Sequence, residues 1–122
     1  MLFNYTAAFV TLATSDLDKL VLFYTDLWQQ KPQIYWQNVY AEFQISGLCL
    51  GIFQPNKSNN AEFVNSRNSS MSLCLEVEDL ANAIAHLTNI GYPPPGEIIT
   101  ASHGNEIYAY DPDGNRLILH QS

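Results

Sequence analysis

The sequence predicts an α+β domain built from two β-α-β-β-β modules, with helices on the outer face of mixed sheets. Three observations lead there. One alternating strand, one amphipathic helix and three further strands follow one another twice along the chain. The two strand–helix starts superpose when Asp16-Leu17 is laid on Asp79-Leu80. A single unit of this kind covers only one side of a four-stranded sheet, so two of them, within a chain or between chains, make the stable object.

Residues 9–13, Phe-Val-Thr-Leu-Ala, alternate as a half-buried strand does. A helix is expected from Thr14-Ser15-Asp16, with Ser15 as the cap and Asp16 and Asp18 at the positive end of the dipole. Leu17, Leu20, Val21, Tyr24, Leu27 and Trp28 form its apolar stripe, and Pro32 ends it. Three strands follow at 33–36, 39–45 and 48–53, the last two joined at Ser46-Gly47. The Asn/Ser-rich stretch 54–70 reads as a surface connection.

The order then repeats. A strand spans 72–77, and a helix spans 78–90 with Leu80, Ala83, Ile84, Leu87 and Ile90 on one face. Gly91 stops that helix in a left-handed conformation, ahead of Pro93-Pro94-Pro95. Strands at 97–100, 106–110 and 116–120 complete the module, the last pair turning at Asp111-Pro112-Asp113-Gly114-Asn115.

The chain has 122 residues, enough for one domain; two separate cores would leave each half near the ~60-residue margin of self-sufficiency. The expected domain is 1–122, with module 1 at 8–54, a linker at 55–70 and module 2 at 71–121. No apolar run approaches the ~18 residues of a membrane span. The first basic residue is Lys19, so no charged leader is expected, and two cysteines fit a reducing cytoplasm. Twelve carboxylates against five basic side chains give a net charge of −7, which opposes nucleic acid and anionic membranes as partners and is compatible with a cationic ligand.

The strands present two contrasting faces. One is apolar: Val10 and Leu12; Val39, Ala41, Phe43 and Ile45; Leu48, Leu50 and Ile52; Leu73, Leu75 and Val77; Ile107 and Ala109; Leu117 and Leu119. It is the face that meets the helices. The other mixes aromatic, small and hydrogen-bonding groups: Phe9, Thr11 and Ala13; Tyr40, Glu42 and Gln44; Cys49, Gly51 and Phe53; Ser72, Cys74 and Glu76; Glu106, Tyr108 and Tyr110; Arg116, Ile118 and His120. Phe9, Phe53, Tyr108, Tyr110 and Ile118 are large for a wetted face, and a concave binding cavity accommodates this mixture better than bulk water does.

Phe9-Val-Thr-Leu-Ala-Thr-Ser-Asp-Leu-Asp, Phe23-Tyr24-Thr-Asp-Leu27 and Asp111-Pro-Asp-Gly-Asn-Arg-Leu-Ile-Leu-His-Gln121 together resemble the vicinal oxygen chelate superfamily. That superfamily includes glyoxalase I, bleomycin-resistance proteins, fosfomycin-resistance enzymes and extradiol dioxygenases. The resemblance runs from residue 8 to 121 and implies paired modules whose sheets curl into a U-shaped cleft. Its enzymes hold a divalent metal on the first and fourth strands of each module, a Lewis acid with open coordination positions. Those positions correspond here to Phe9, Gly51, Ser72 and Ile118, three of which have no side-chain donor atom. Serine alone is a poor ligand for such metals. The resemblance therefore implies a chain of the bleomycin-resistance type, which sequesters a ligand without metal or other cofactor. Thr11, Ser102 and Tyr108 fall where the fosfomycin-resistance branch touches substrate.

The expected cleft residues are Phe9, Thr11, Trp36, Tyr40, Glu42, Gly51, Phe53, Ser72, Cys74, Glu76, Tyr108, Tyr110, Arg116, Ile118 and His120. Cys74 and His120 are expected side by side, either as a thiolate–imidazole pair or as a small cysteine beside a strand-ending histidine. Glu42, Glu76 and Glu106 outnumber Arg116, which suits a cationic guest stacked on Tyr40, Tyr108, Tyr110 and Phe53 if they cluster, or a hydrated rim if they do not. Trp28 belongs to the core stripe, and Trp36 stands near the cleft mouth. His86 and His103 are expected at the surface.

The function these readings give is metal-independent binding of a small aromatic or cationic molecule by a cytoplasmic homodimer whose modules complete each cleft. The alternatives are a metal-dependent lyase, isomerase or dioxygenase with displaced ligands, and an interaction module with a vestigial cleft.

Overall fold

The computed structural model describes residues 3, 4, 6–58, 60–64 and 69–122. Positions 59 and 65–68 of the expected linker lie outside the described residues. The first module runs β1 (Val10–Ala13), α1 (Leu17–Trp28), β2 (Ile34–Trp36), β3 (Tyr40–Ile45) and β4 (Leu48–Phe53). The second runs β5 (Leu73–Glu76), α2 (Leu80–Asn89), β6 (Ile99–Ala101), β7 (Gly104–Tyr110) and β8 (Arg116–Gln121). Each module is one four-stranded sheet, in the orders β1-β4-β3-β2 and β5-β8-β7-β6. The first strand of each runs parallel to the last, and the other pairings are antiparallel.

The repeat extends to the capping chemistry. Asp16 accepts from the Lys19 amide at 3.1 Å, and Asp79 accepts from Asn82 at 3.0 Å. The first helical amides, Leu17 and Leu80, donate to the side chains of Gln54 and Gln121, at 3.2 and 2.6 Å. Each helix start is thus closed by a glutamine from the far end of its own module, satisfying amides that have no partner within the helix. Ser15 is not the cap of α1: Asp16 holds a non-helical backbone (φ −139°, ψ 87°) immediately before Leu17, and its carboxylate reaches the third helical amide. The helix ends at Gln29 in the left-handed conformation rather than at Pro32.

One core serves both modules. Leu17, Leu20, Phe23 and Tyr24 of α1 pack over Ala41, Phe43, Leu50 and Ile52, while Leu80 and Leu87 of α2 pack over Ile107, Ala109, Leu117 and Leu119. The halves meet where the Phe23 ring stands edge-on to Tyr92, at 5.0 Å between centroids. His86 Nε2 also lies 2.8 Å from the Asp26 carbonyl. Trp28 packs on Tyr24 and Phe43, as the helix stripe predicts. Val39 departs from its expected inward position and is 57% exposed. The turn that puts Asn38 at φ 65° starts β3 one residue later, at Tyr40.

Candidate functional site

Within one chain the two mixed sheet faces are not covered. Trp36 is 59% exposed, Phe9 50% and Tyr108 39%, and Thr11, Cys74 and Glu76 are also exposed. The sheets remain separate, with no strand pairing between them among the described residues.

On the first face, Trp36 lies against Tyr40 at 5.8 Å between ring centroids. The Tyr40 hydroxyl donates to Glu42 at 2.8 Å, and Gln44 Nε2 donates to the same carboxylate at 3.2 Å. Those two donors hold the Glu42 carboxyl below its usual range, while desolvation and then Glu42 push the Tyr40 phenol up to about 12. Gly51 makes room for this arrangement. A Cβ there would stand 2.8 Å from the Tyr40 oxygen and 3.3 Å from Thr11 Cγ2. Phe53 is covered edge-on by Phe63, at 5.2 Å, from a short 3-10 turn (Asn60–Phe63) in the connection. That connection was expected as plain surface, and its phenylalanine is the feature the Asn/Ser-rich composition conceals.

On the second face the strand register fixes the neighbours. Cys74 lies beside Ile118, and Glu76 lies beside His120. Cys74 and His120 are therefore not side by side: β5 and β8 align two residues away from the offset that would pair them. His120 instead donates through Nδ1 to Glu76 at 2.6 Å, a contact that lowers the carboxyl and raises the imidazole from their ordinary values. Glu106 is the opposite neighbour of His120 on β7. The turn between β6 and β7 brings His103 back over both, with its Nε2 3.8 Å from Glu106 and its ring perpendicular to that of His120 at 5.1 Å. His103, expected as a plain surface residue, is exposed yet belongs to this cluster. Tyr108 sits next to Ile118, one register step away.

Arg116 does not offset the glutamates. Its Nε donates to Ser72 at 2.7 Å and its Nη2 to the Ser69 carbonyl at 2.7 Å, tying the start of β8 to the end of the connection.

A cavity of about 630 Å³ opens where the modules meet. Residues 10–13 of β1, Phe63, Met71, Ser72, Tyr110, Asp111 and Arg116 line it, with Tyr24 at its inner end. Of the expected cleft residues, Thr11, Ser72, Tyr110 and Arg116 border this cavity, and the others lie elsewhere on the mixed faces, with Gly51 buried and Phe53 against Phe63. Sequence reasoning missed Tyr24 and Asp111 as a buried polar pair; the one available signal was a phenol on an otherwise apolar stripe, since a buried hydroxyl requires a partner.

A parallel first-to-last strand pairing in each of two βαβββ modules, with a mixed face left open, defines a class of cleft-forming proteins. The chain belongs to the Glyoxalase/Bleomycin resistance protein/Dioxygenase superfamily, whose model matches residues 6–119. Solved structures share the fold at low identity. A glyoxalase-related enzyme from Fulvimarina pelagi is 23% identical with a TM-score of 0.77, covering 96% of this chain and 88% of its own. The genomically encoded fosfomycin resistance protein FosX of Listeria monocytogenes is 18% identical with a TM-score of 0.76, covering 98% and 95%. A bleomycin-binding protein solved in complex with bleomycin is 21% identical with a TM-score of 0.69, covering 97% and 99%. No curated protein matches the chain significantly.

Proposed function

We propose that this chain is a small-molecule binding protein that takes an aromatic or cationic guest between the open face of its first sheet and the second-sheet face of another copy. The observation that carries the reading is the unit Trp36–Tyr40–Glu42. The exposed Trp36 ring and the half-buried Tyr40 ring stand beside a carboxylate kept ionised by two hydrogen-bond donors, which is the chemistry that recognises a flat cation. Tyr108, Tyr110 and Ile118 would form the opposing wall. A homodimer follows from the same reading, since each exposed aromatic face then finds a cover.

Binding in this cleft uses no metal at the four positions relatives employ. At Gly51 the Tyr40 hydroxyl fills the space a ligating side chain would need, which supports the reading. At Ser72 the hydroxyl is taken up by Arg116. Cytoplasmic residence is part of the proposal, resting on Cys49 and Cys74 being free thiols.

The test is a titration of the full chain with metal-free bleomycin, read by tryptophan emission and by melting temperature, with sedimentation to give the oligomeric state. The expected result is saturable quenching, lost in W36A, together with a rise in Tm and a dimer. A monomer with neither quenching nor a Tm change, for bleomycin and for a panel of aromatic cations, overturns the proposal.

A further inference from the structure

We propose that His103, Glu106 and His120 form a binding site for one divalent transition-metal ion of the zinc type, at the outer end of the second sheet's open face. Their donor atoms lie within 4.8 Å of one another, and among the described residues this is the one group of three such side chains brought so close. The site is distinct from Phe9, Gly51, Ser72 and Ile118, and holds two of the three histidines in the chain.

Three features build it. Strand register places Glu106 directly beside His120, on a rigid antiparallel pair. Gly104 lets the turn carrying His103 fold back over them: its φ is +135°, and a Cβ there would collide with the Gln121 carbonyl and stand 3.1 Å from His120 Nε2. Glu76 holds His120 through Nδ1, which orients the ring; its other nitrogen, Nε2, faces the Gly104 turn, where the His103 backbone is its partner until an ion displaces that contact. A metal-binding histidine commonly gives its other nitrogen to a carboxylate in this way.

Two imidazoles and one carboxylate are a donor set that zinc accepts while keeping a position open for water or another ligand. Bonds of about 2.0–2.1 Å in tetrahedral array put donors roughly 3.3 Å apart. The His103–Glu106 pair, at 3.8 Å, is already near that spacing. His103 is 63% exposed on a turn, so it is the side chain free to close the set, while Glu106 is only 17% exposed and stays fixed. Tyr108 and Ile118 are the next pair on the same face of the two strands. The site does not depend on the cleft holding a guest.

The test uses the full untagged chain, freed of metal by chelation and titrated with zinc chloride by calorimetry and with cobalt(II) by visible absorption. Histidine side-chain NMR, tractable with three histidines, reports which rings are involved. The expected result is one ion per chain, with the His103 and His120 signals shifted and that of His86 unmoved. H103A and H120A should each weaken binding at least about tenfold, and E76Q by about 10–100-fold, as loss of an orienting carboxylate does. H86A should bind as the parent does. His103 sits on an exposed turn, so H103A decides the matter even if H120A disturbs the sheet. Absence of saturable binding, or binding that survives in H103A with the cobalt spectrum unchanged, overturns the site. A monomeric chain that binds zinc but neither bleomycin nor any of the aromatic cations would remove the cleft proposal and leave this one intact, and the reverse outcome would do the opposite.

Discussion

The Tyr24 hydroxyl donates to Asp111 Oδ2 at 2.7 Å, joining the helix of the first module to the final turn of the second across 87 positions of sequence. Asp111 receives three further donors, the amides of Asp113 and Asn115 at 2.9 Å and the Asn115 side chain at 2.8 Å. The contact is buried: Tyr24 has no exposed surface and Asp111 has 3%. It is a polar fastening between halves that also meet at the Phe23–Tyr92 ring edge and at His86.

Y24F removes the donor and leaves the turn with its local partners. A hydrogen bond to a charged acceptor is worth about 1.5–3 kcal/mol, so urea unfolding of Y24F should show a loss in that range with an unchanged slope. A loss below about 0.5 kcal/mol would mean the carboxylate is served by the turn alone.

Burial, the largest influence, raises the Asp111 carboxyl above its ordinary value of 3.8, outweighing the donors that lower it. The folded state therefore favours the protonated acid more than the unfolded chain does. The associated stability is fully present below pH 3.8 and is lost as pH rises through the folded value. Relative to D111N, the parent's unfolding free energy should fall with rising pH across that window, and carboxyl NMR should show Asp111 titrating late. A titration at or below 3.8 would refute this.

Glu76 and His120 work in the opposite sense to one another. The imidazole contact lowers Glu76, whose contribution appears above 4.5 and is lost as pH falls through its folded value. Glu76 raises His120, whose contribution is complete below 6.5 and disappears as pH rises through its folded value. In the metal-free protein the pair is fully formed between these limits. NMR should find His120 titrating above 6.5, and E76Q should bring it back toward that value.

Leu117 and Leu119 on β8 and Ile52 on β4 belong to one continuous core. L117A should cost about 2–5 kcal/mol, and both modules should still unfold in one transition. Two separated thermal transitions would show that the halves hold independent cores.

The fold was legible because each signal was local and periodic. Leu17, Leu20 and Tyr24 mark one helical face, and Ala41, Phe43, Leu50 and Ile52 alternate along their strands, so core and open face could be separated before any pairing was known. Register was less accessible. Placing Cys74 beside Ile118 rather than His120 is a two-residue difference in how β5 meets β8, and both alternatives keep the same side chains on the same face. The cluster around His103 was hidden for a related reason: it exists only because Gly104 folds the preceding turn over β8, a long-range approach that spacing in the sequence does not encode. Val39 misled because alternation continues through a residue that the Asn38 turn has already taken out of the sheet.

The glutamines that cap the helices also set a timetable. Leu17 waits for Gln54 and Leu80 for Gln121, contacts spanning 37 and 41 positions, so neither helix start is sealed until its own module's last strand has docked. In a nascent chain the first circuit closes once residue 54 has left the ribosome. Tyr24, however, stays without its acceptor until Asp111, 87 positions further on, emerges. Until then the Tyr24 phenol of the leading half lacks its native partner, which makes that half the segment on which chaperones would be expected to act.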